Sequence, residues 1–214
     1  MNIERLTVLI LLIAALAASV FAQNAAKYNY DAQRAFIPFD LGEIYLGMPF
    51  KDFVNKLDIT DAEADTRFDF ISLNVPFSKG DITAISVRID GVNPDEKAAM
   101  TRKVELTIKD DAGDFTREED RIDPAKVGDG GFVYALYISF RPGFDLKSYV
   151  IKTFGNGGDV RKPDDEYHFY DIQWNKKTDD GLDWLIRSFH EGDDRQLQLL
   201  GRIPGTEWGL DEID

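Results

Sequence analysis

From Arg67 to Ile203 the apolar side chains recur mainly with a period of two, the mark of strands that bury one face. Val104, Leu106 and Ile108 alternate with Lys103, Glu105, Thr107 and Lys109, which predicts a half-buried strand with a wet outer side. Phe68 to Phe77 is dense in strand formers, although Asp69, Ser72 and Asn74 interrupt it. Ile82 to Ile89 alternates more cleanly and is expected to set Thr83, Ile85, Val87 and Ile89 on one face. Phe115 to Ile122 carries so many charges that it reads as an edge strand, where charge resists pairing with other chains. Phe132 to Phe140 is a near-continuous strand. Tyr167 to Asn175, Leu182 to His190 and Gln196 to Ile203 follow as antiparallel strands, with hairpin turns at Thr178–Gly181 and Gly192–Asp194.

Two segments switch to the helical period. Gly42 to Leu46 is expected as a short strand, after which Gly47-Met48-Pro49 turns the chain into a helix with Pro49 in its first turn. Phe50, Phe53, Val54 and Leu57 then fall on one face. The second helix should begin at Asp145, a good N-cap, with Leu146, Tyr149, Val150 and Phe154 on its apolar side. Gly155-Asn156-Gly157-Gly158 should stop it. Pro94 to Met100 has room for one or two helical turns.

The fold class is therefore α+β, mostly antiparallel sheet with two short amphipathic helices. Each half runs strand, Gly/Pro turn, helix and antiparallel meander, so the chain reads as two tandem repeats or as one domain with both helices on its sheet. The corresponding boundaries are a signal peptide over 1–22, a polar spacer over 23–35 and a first α+β unit over 36–122. A Gly-rich loop over 123–131 leads to a second unit over 132–214 with a C-terminal tail.

The leader reading rests on three parts. Met1 to Arg5 is short and polar, Leu6 to Ala18 is almost wholly apolar, and Val20-Phe21-Ala22 supplies the cleavage pattern. The apolar run falls short of the roughly 20 residues that span a bilayer, though an uncleaved N-terminal anchor is the competing reading. No other stretch is suited to crossing a membrane, so the mature chain is expected to be exported, periplasmic or extracellular.

The chain has no cysteine, which removes thiolate chemistry, disulfides and lipid attachment at a cleavage-site cysteine. The net charge of −14, spread along the chain and interleaved with Lys and Arg, repels phosphate backbones and excludes nucleic acid as a partner.

Leu46-Gly47-Met48-Pro49-Phe50-Lys51-Asp52-Phe53-Val54-Asn55-Lys56-Leu57 resembles the helix entry of small exported modules. These are the outer-membrane-assembly lipoprotein modules and the β-lactamase-inhibitor-protein-like tandem repeats. The resemblance implies a strand, a short helix and an antiparallel sheet, with protein binding as the activity. The chain departs from the lipoprotein members in lacking the cysteine for lipid attachment, and no functional residue is transferred.

Candidate chemistry is sparse. His168 and His190 would lie toward the same end of a hairpin, where Glu166 or Glu191 could complete a zinc site, but no tight metal spacing is present. Ser188 and His190 are two apart in a strand, roughly 7 Å by strand geometry and too far for a nucleophile and its base. The acid-rich turns Asp58–Asp65, Asp110–Asp120 and Asp179–Asp183 lack the spacing of a calcium loop and suit turns in any case. Neither a catalytic residue, a metal site nor a cofactor is assigned. The binding candidates are aromatic: Tyr170 and Trp174, if their strand faces them outward, and Trp208 in the tail. The expectation is a non-catalytic exported module that binds a protein or another component of the cell envelope. The alternatives are an extracytoplasmic hydrolase of glycan or peptide working through carboxylates, and a small-ligand binding protein with an aromatic-lined cleft.

Overall fold

The computed structural model describes residues 27–109, 113–160 and 170–206; the expected leader, His168 and Trp208 lie outside these. The strands are β1 (Glu63–Asp65), β2 (Ile71–Lys79), β3 (Ile82–Asp90), β4 (Thr101–Ile108), β5 (Phe115–Ile122), β6 (Phe132–Phe140), β7 (Asp159–Val160), β8 (Ile172–Lys177), β9 (Asp183–Glu191) and β10 (Asp194–Gly201). All ten join one open sheet in the order β4-β5-β1-β2-β3-β6-β10-β9-β8-β7, and each neighbouring pair is antiparallel. Among the described residues four α-helices accompany it: α1 (Tyr30–Gln33), α2 (Phe50–Lys56), α3 (Pro94–Met100) and α4 (Leu146–Phe154). This is a sheet-rich antiparallel form of the α+β class.

Register explains where the core sits. Ala64, Leu73, Val87, Leu136, Leu199, Ile186 and Trp174 are successive partners across the sheet, and all are buried. Because side chains alternate along a strand, these residues share one face. The helices close that face. Phe50 and Phe53 of α2 are fully buried, as are Leu146, Val150 and Phe154 of α4 to within 3%, and Phe154 packs on Trp174 with ring centroids 5.6 Å apart. The Asp145 carboxylate caps α4 by accepting the Ser148 N–H at 3.0 Å. Gly155 ends the helix at φ +86°, a conformation open to glycine.

Several elements depart from the sequence reading. The polar spacer is structured from Lys27 on: it contains α1, and it buries Tyr28 and the amide of Gln33. Gly42–Leu46 forms no strand. Instead the main chain of Gly47 to Phe50 exchanges hydrogen bonds with that of Gly131 to Val133, tying the start of α2 to the start of β6. Pro49 precedes α2 as its N-cap residue. β5 is not an edge, because the three-residue β1 pairs along its outer side and leaves β4 as the terminal strand. β1 lies within the acidic run read as a turn. A bulge between Ile82 and Ala84 turns Ile82 into the core and leaves Thr83 exposed, reversing its expected face. Both halves share the sheet through the β3–β6 pairing, with the 123–131 loop feeding β6 into its centre.

The N-terminal segment meets the C-terminal hairpin around the buried amide of Gln33. Gln33 accepts the Leu46 N–H at 2.9 Å and donates to the Leu46 carbonyl at 2.9 Å and to Asp180 at 3.0 Å. Asp180 also accepts from the Asn29 N–H, the Leu182 N–H and the Thr178 hydroxyl. Burial pushes the Asp180 carboxyl upward, but these hydrogen bonds together hold it below the usual carboxylate range.

Candidate binding face

One residue over from the apolar row, the register draws a different line. Arg102, Arg121, Glu63, Asn74, Ser86, Tyr137, Gln198, Arg187, Gln173 and Asp159 are successive partners from β4 to β7. This row crosses every strand without one aliphatic side chain. Its members bond across the strands, Ser86 donating to Asn74 at 2.8 Å and Arg187 to Gln173 at 2.7 Å, and Gln198 donates along its own strand to Gln196 at 2.8 Å.

The face is curved around this row. A groove of about 500 Å³ is lined by Leu106 of β4, Glu119 and Arg121 of β5, Glu63, Asn74, Ser86, Ser139 and Gln196, together with neighbours on the same strands. A flat sheet would spread seven adjacent strands over roughly 29 Å at the usual spacing of about 4.8 Å. A groove lined from all seven is a concavity on the polar side of the sheet.

Arginine and aromatic rings meet on this side. The Arg88 guanidinium lies between Phe70 and Tyr137, 4.9 Å and 5.0 Å from their ring centres, and Phe70 stacks on the half-exposed Phe68 at 5.2 Å. Arg187 sits 5.3 Å from the Tyr170 ring centre. Cation–π contacts at these distances draw each guanidinium to the rings beside it. Burial presses Arg187 below its ordinary value, while Tyr170 and Tyr137 act the other way.

At the β5 end of the groove, Glu119 is buried and accepts from both Arg117 and Arg121, the latter at 3.1 Å. Arg121 lies 3.6 Å from Asp61, and its Nε and Nη1 have no hydrogen-bond partner among the described residues. Glu119 is the only buried acid among the described residues. Two guanidiniums occupy its oxygens, so its charge is matched within β5; Asp61 and Glu63 are the other carboxylates that line the groove.

The aromatic candidates separate. Tyr170 lies on the polar face, partly exposed and paired with Arg187. Trp174 does not face outward: it is 2% exposed, packs on Phe154 and donates its indole N–H to the Gly155 carbonyl at 3.0 Å. It is a core residue because its strand position is in register with Ile186. Trp208 is outside the described residues. His190 is exposed near the end of β9 and faces Arg195 of β10, while Ser188 is buried two positions earlier on the same side. Among the described residues, no three His, Asp or Glu side chains group to hold a metal ion, and no helix is long and apolar enough to cross a membrane.

Sequence reasoning passed over Phe70, Arg88 and Arg187. Each occupies an ordinary wet-face or strand-entry position, and their convergence depends on the order β3-β6-β10-β9, which places Arg88 and Arg187 on either side of Tyr137 and Gln198. Comparison with protein-family models, with curated proteins and with solved structures found no match.

Proposed function

We propose that this chain is an exported, non-catalytic module that binds a protein partner in the cell envelope through the curved polar face of its sheet. The observation that carries the reading is the Arg–aromatic array, Phe70–Arg88–Tyr137 and Tyr170–Arg187, on the same sheet face as the groove and opposite the helices. Arginine and tyrosine are the side chains that most often dominate binding energy, and partly buried, pre-oriented ones lose little freedom on docking. The commitment of Glu119 to two arginines removes the one buried acid of this groove from the carboxylate-hydrolase alternative. Export rests on the Met1–Ala22 pattern, and the protein-binding class also accords with the resemblance over Leu46–Leu57.

The tandem-repeat reading belongs to the same proposal. Its support is that α2 and α4 each follow a positive-φ glycine, Gly47 or Gly143, and send their apolar residues into one core.

The test is in-cell crosslinking and affinity recovery of the chain expressed with its own leader, beside Arg88→Ala and Arg187→Ala variants. A single envelope protein recovered with the parent chain and lost from both variants is the expected outcome. Undiminished recovery with both variants, or no specific protein at all, removes the proposal.

A further inference from the structure

On the other side of the sheet, the helix-covered face emerges beyond the first turn of α4 into a cleft of about 760 Å³. This volume lies in the range of about 300–1,000 Å³ typical of small-molecule sites. Its floor and walls are apolar: Leu146 is 3% exposed, Ile172 is 8% exposed, Phe144 is half-buried, and Val160 stands at the lip with 71% exposure. Ser188, in register with Ile172, lies buried in the floor.

The mouth carries side chains of both signs. His190 and Arg195 are directly opposed on β9 and β10, and Lys147 extends from the first turn of α4. Two acids also line the cleft. Asp145 is engaged by its own helix through the Ser148 N–H, and the main-chain N–H of Asp171 donates to the Ser188 carbonyl at 2.7 Å.

Arg195 is the group with unused capacity. Its Nη1 donates to the Gly192 carbonyl at 2.6 Å and to the Asp194 carbonyl at 3.2 Å. These bonds to the hairpin turn fix the guanidinium in place. Its Nε and Nη2, which form the side-on edge, have no acceptor among the described residues. Such an edge matches the two oxygens of a carboxylate, and a pre-positioned guanidinium loses little freedom in forming both bonds.

We propose that this cleft is a binding site for a small amphipathic carboxylate. Its anionic head pairs with the Nε–Nη2 edge of Arg195 near His190 and Lys147, and its hydrocarbon body lies on Phe144, Leu146, Val160 and Ile172. The site is on the opposite side of the sheet from the Arg88–Arg187 face and does not depend on it.

The experiment is a fluorescence titration of the purified full chain with 11-(dansylamino)undecanoic acid, compared with the methyl ester of the same probe. The acid should bind saturably with blue-shifted emission and at least about tenfold more tightly than the ester. Arg195→Gln should bring the acid down to the ester's affinity while leaving the ester unchanged. Arg195→Lys, which keeps the charge without the planar edge, should fall between them. Val160→Asp should weaken both probes, and Arg187→Gln, on the far face, should alter neither. Thermal melting of each variant reports folding, so a melted variant is replaced by its conservative partner. The proposal is overturned by absence of saturable binding, by equal affinity of acid and ester, or by an Arg195→Gln chain that binds the acid as the parent does. It is also overturned if Arg187→Gln weakens the acid as much as Arg195→Gln.

Discussion

Gln33 offers the sharpest energetic test of the fold, because one side chain completes the hydrogen bonding of a buried backbone. Among the described residues its amide supplies the only partners of both the Leu46 N–H and the Leu46 carbonyl, each at 2.9 Å, and it is itself 0% exposed. Gln33→Met keeps nearly the same volume and chain length but removes every polar atom, so it isolates the hydrogen bonds from the packing. Each buried group left without a partner costs about 1–3 kcal/mol. Two such groups, softened by some relaxation, give a loss of about 3 kcal/mol. That is a large share of the roughly 5–15 kcal/mol that stabilises an ordinary domain. Urea unfolding followed by tryptophan fluorescence is the assay, since Trp174 and Trp184 are both buried in the sheet core. The midpoint should fall with the slope unchanged, because the surface exposed on unfolding stays the same. A loss below about 1 kcal/mol would refute the reasoning, for it would mean that Leu46 finds water or another partner without the amide.

Other consequences are more local. The Asp180 carboxyl is held below its usual range in the folded chain, so its contribution is present above an unfolded value near 4 and disappears as pH falls through the folded value. Asp180→Asn should therefore destabilise the protein at neutral pH, with the gap from the parent closing in acid. Urea midpoints taken across pH 2–7 would show it, and a gap that widens in acid would contradict it. Gly47→Ala should destabilise the fold by at least about 2 kcal/mol, since residue 47 holds a left-handed conformation and an added Cβ would collide with the Tyr28 ring. A thermal melt within a degree or two of the parent would rule this out. Trp174→Ala should cost about 3–5 kcal/mol as a core truncation; a near-neutral effect would return Trp174 to the list of surface anchors.

The strands and helices with strong local signals were legible in the residues. α4 carries its cap at Asp145, its apolar stripe and its glycine stop within the same dozen positions. β6 is apolar almost throughout because it is central to the sheet, and the turns after β8 and β9 fall on Asp and Gly as expected. What was hidden depends on partners distant in sequence. β1 is three residues inside an acidic run, too short for periodicity to register, yet it changes β5 from an edge to an interior strand. Gln33 looks like part of a polar spacer until Leu46 and Asp180 close around it. The Thr83 bulge inverts a face in a strand whose alternation is otherwise clean. Trp174 could not be assigned to either face by composition, and only its register with Ile186 settles it as core. The Arg88 and Arg187 array required the strand order itself, which no local pattern encodes.

The most direct test of the binding face places a photo-crosslinking amino acid at Asn74, exposed within the polar groove, and at Lys152, exposed on α4. Each chain is expressed with its own leader and irradiated in cells. The proposed binding face predicts a discrete adduct with one envelope protein from position 74, absent from position 152 and lost when Arg187→Ala is added. An adduct from position 152 alone, or one from position 74 that survives Arg187→Ala at full yield, would contradict it.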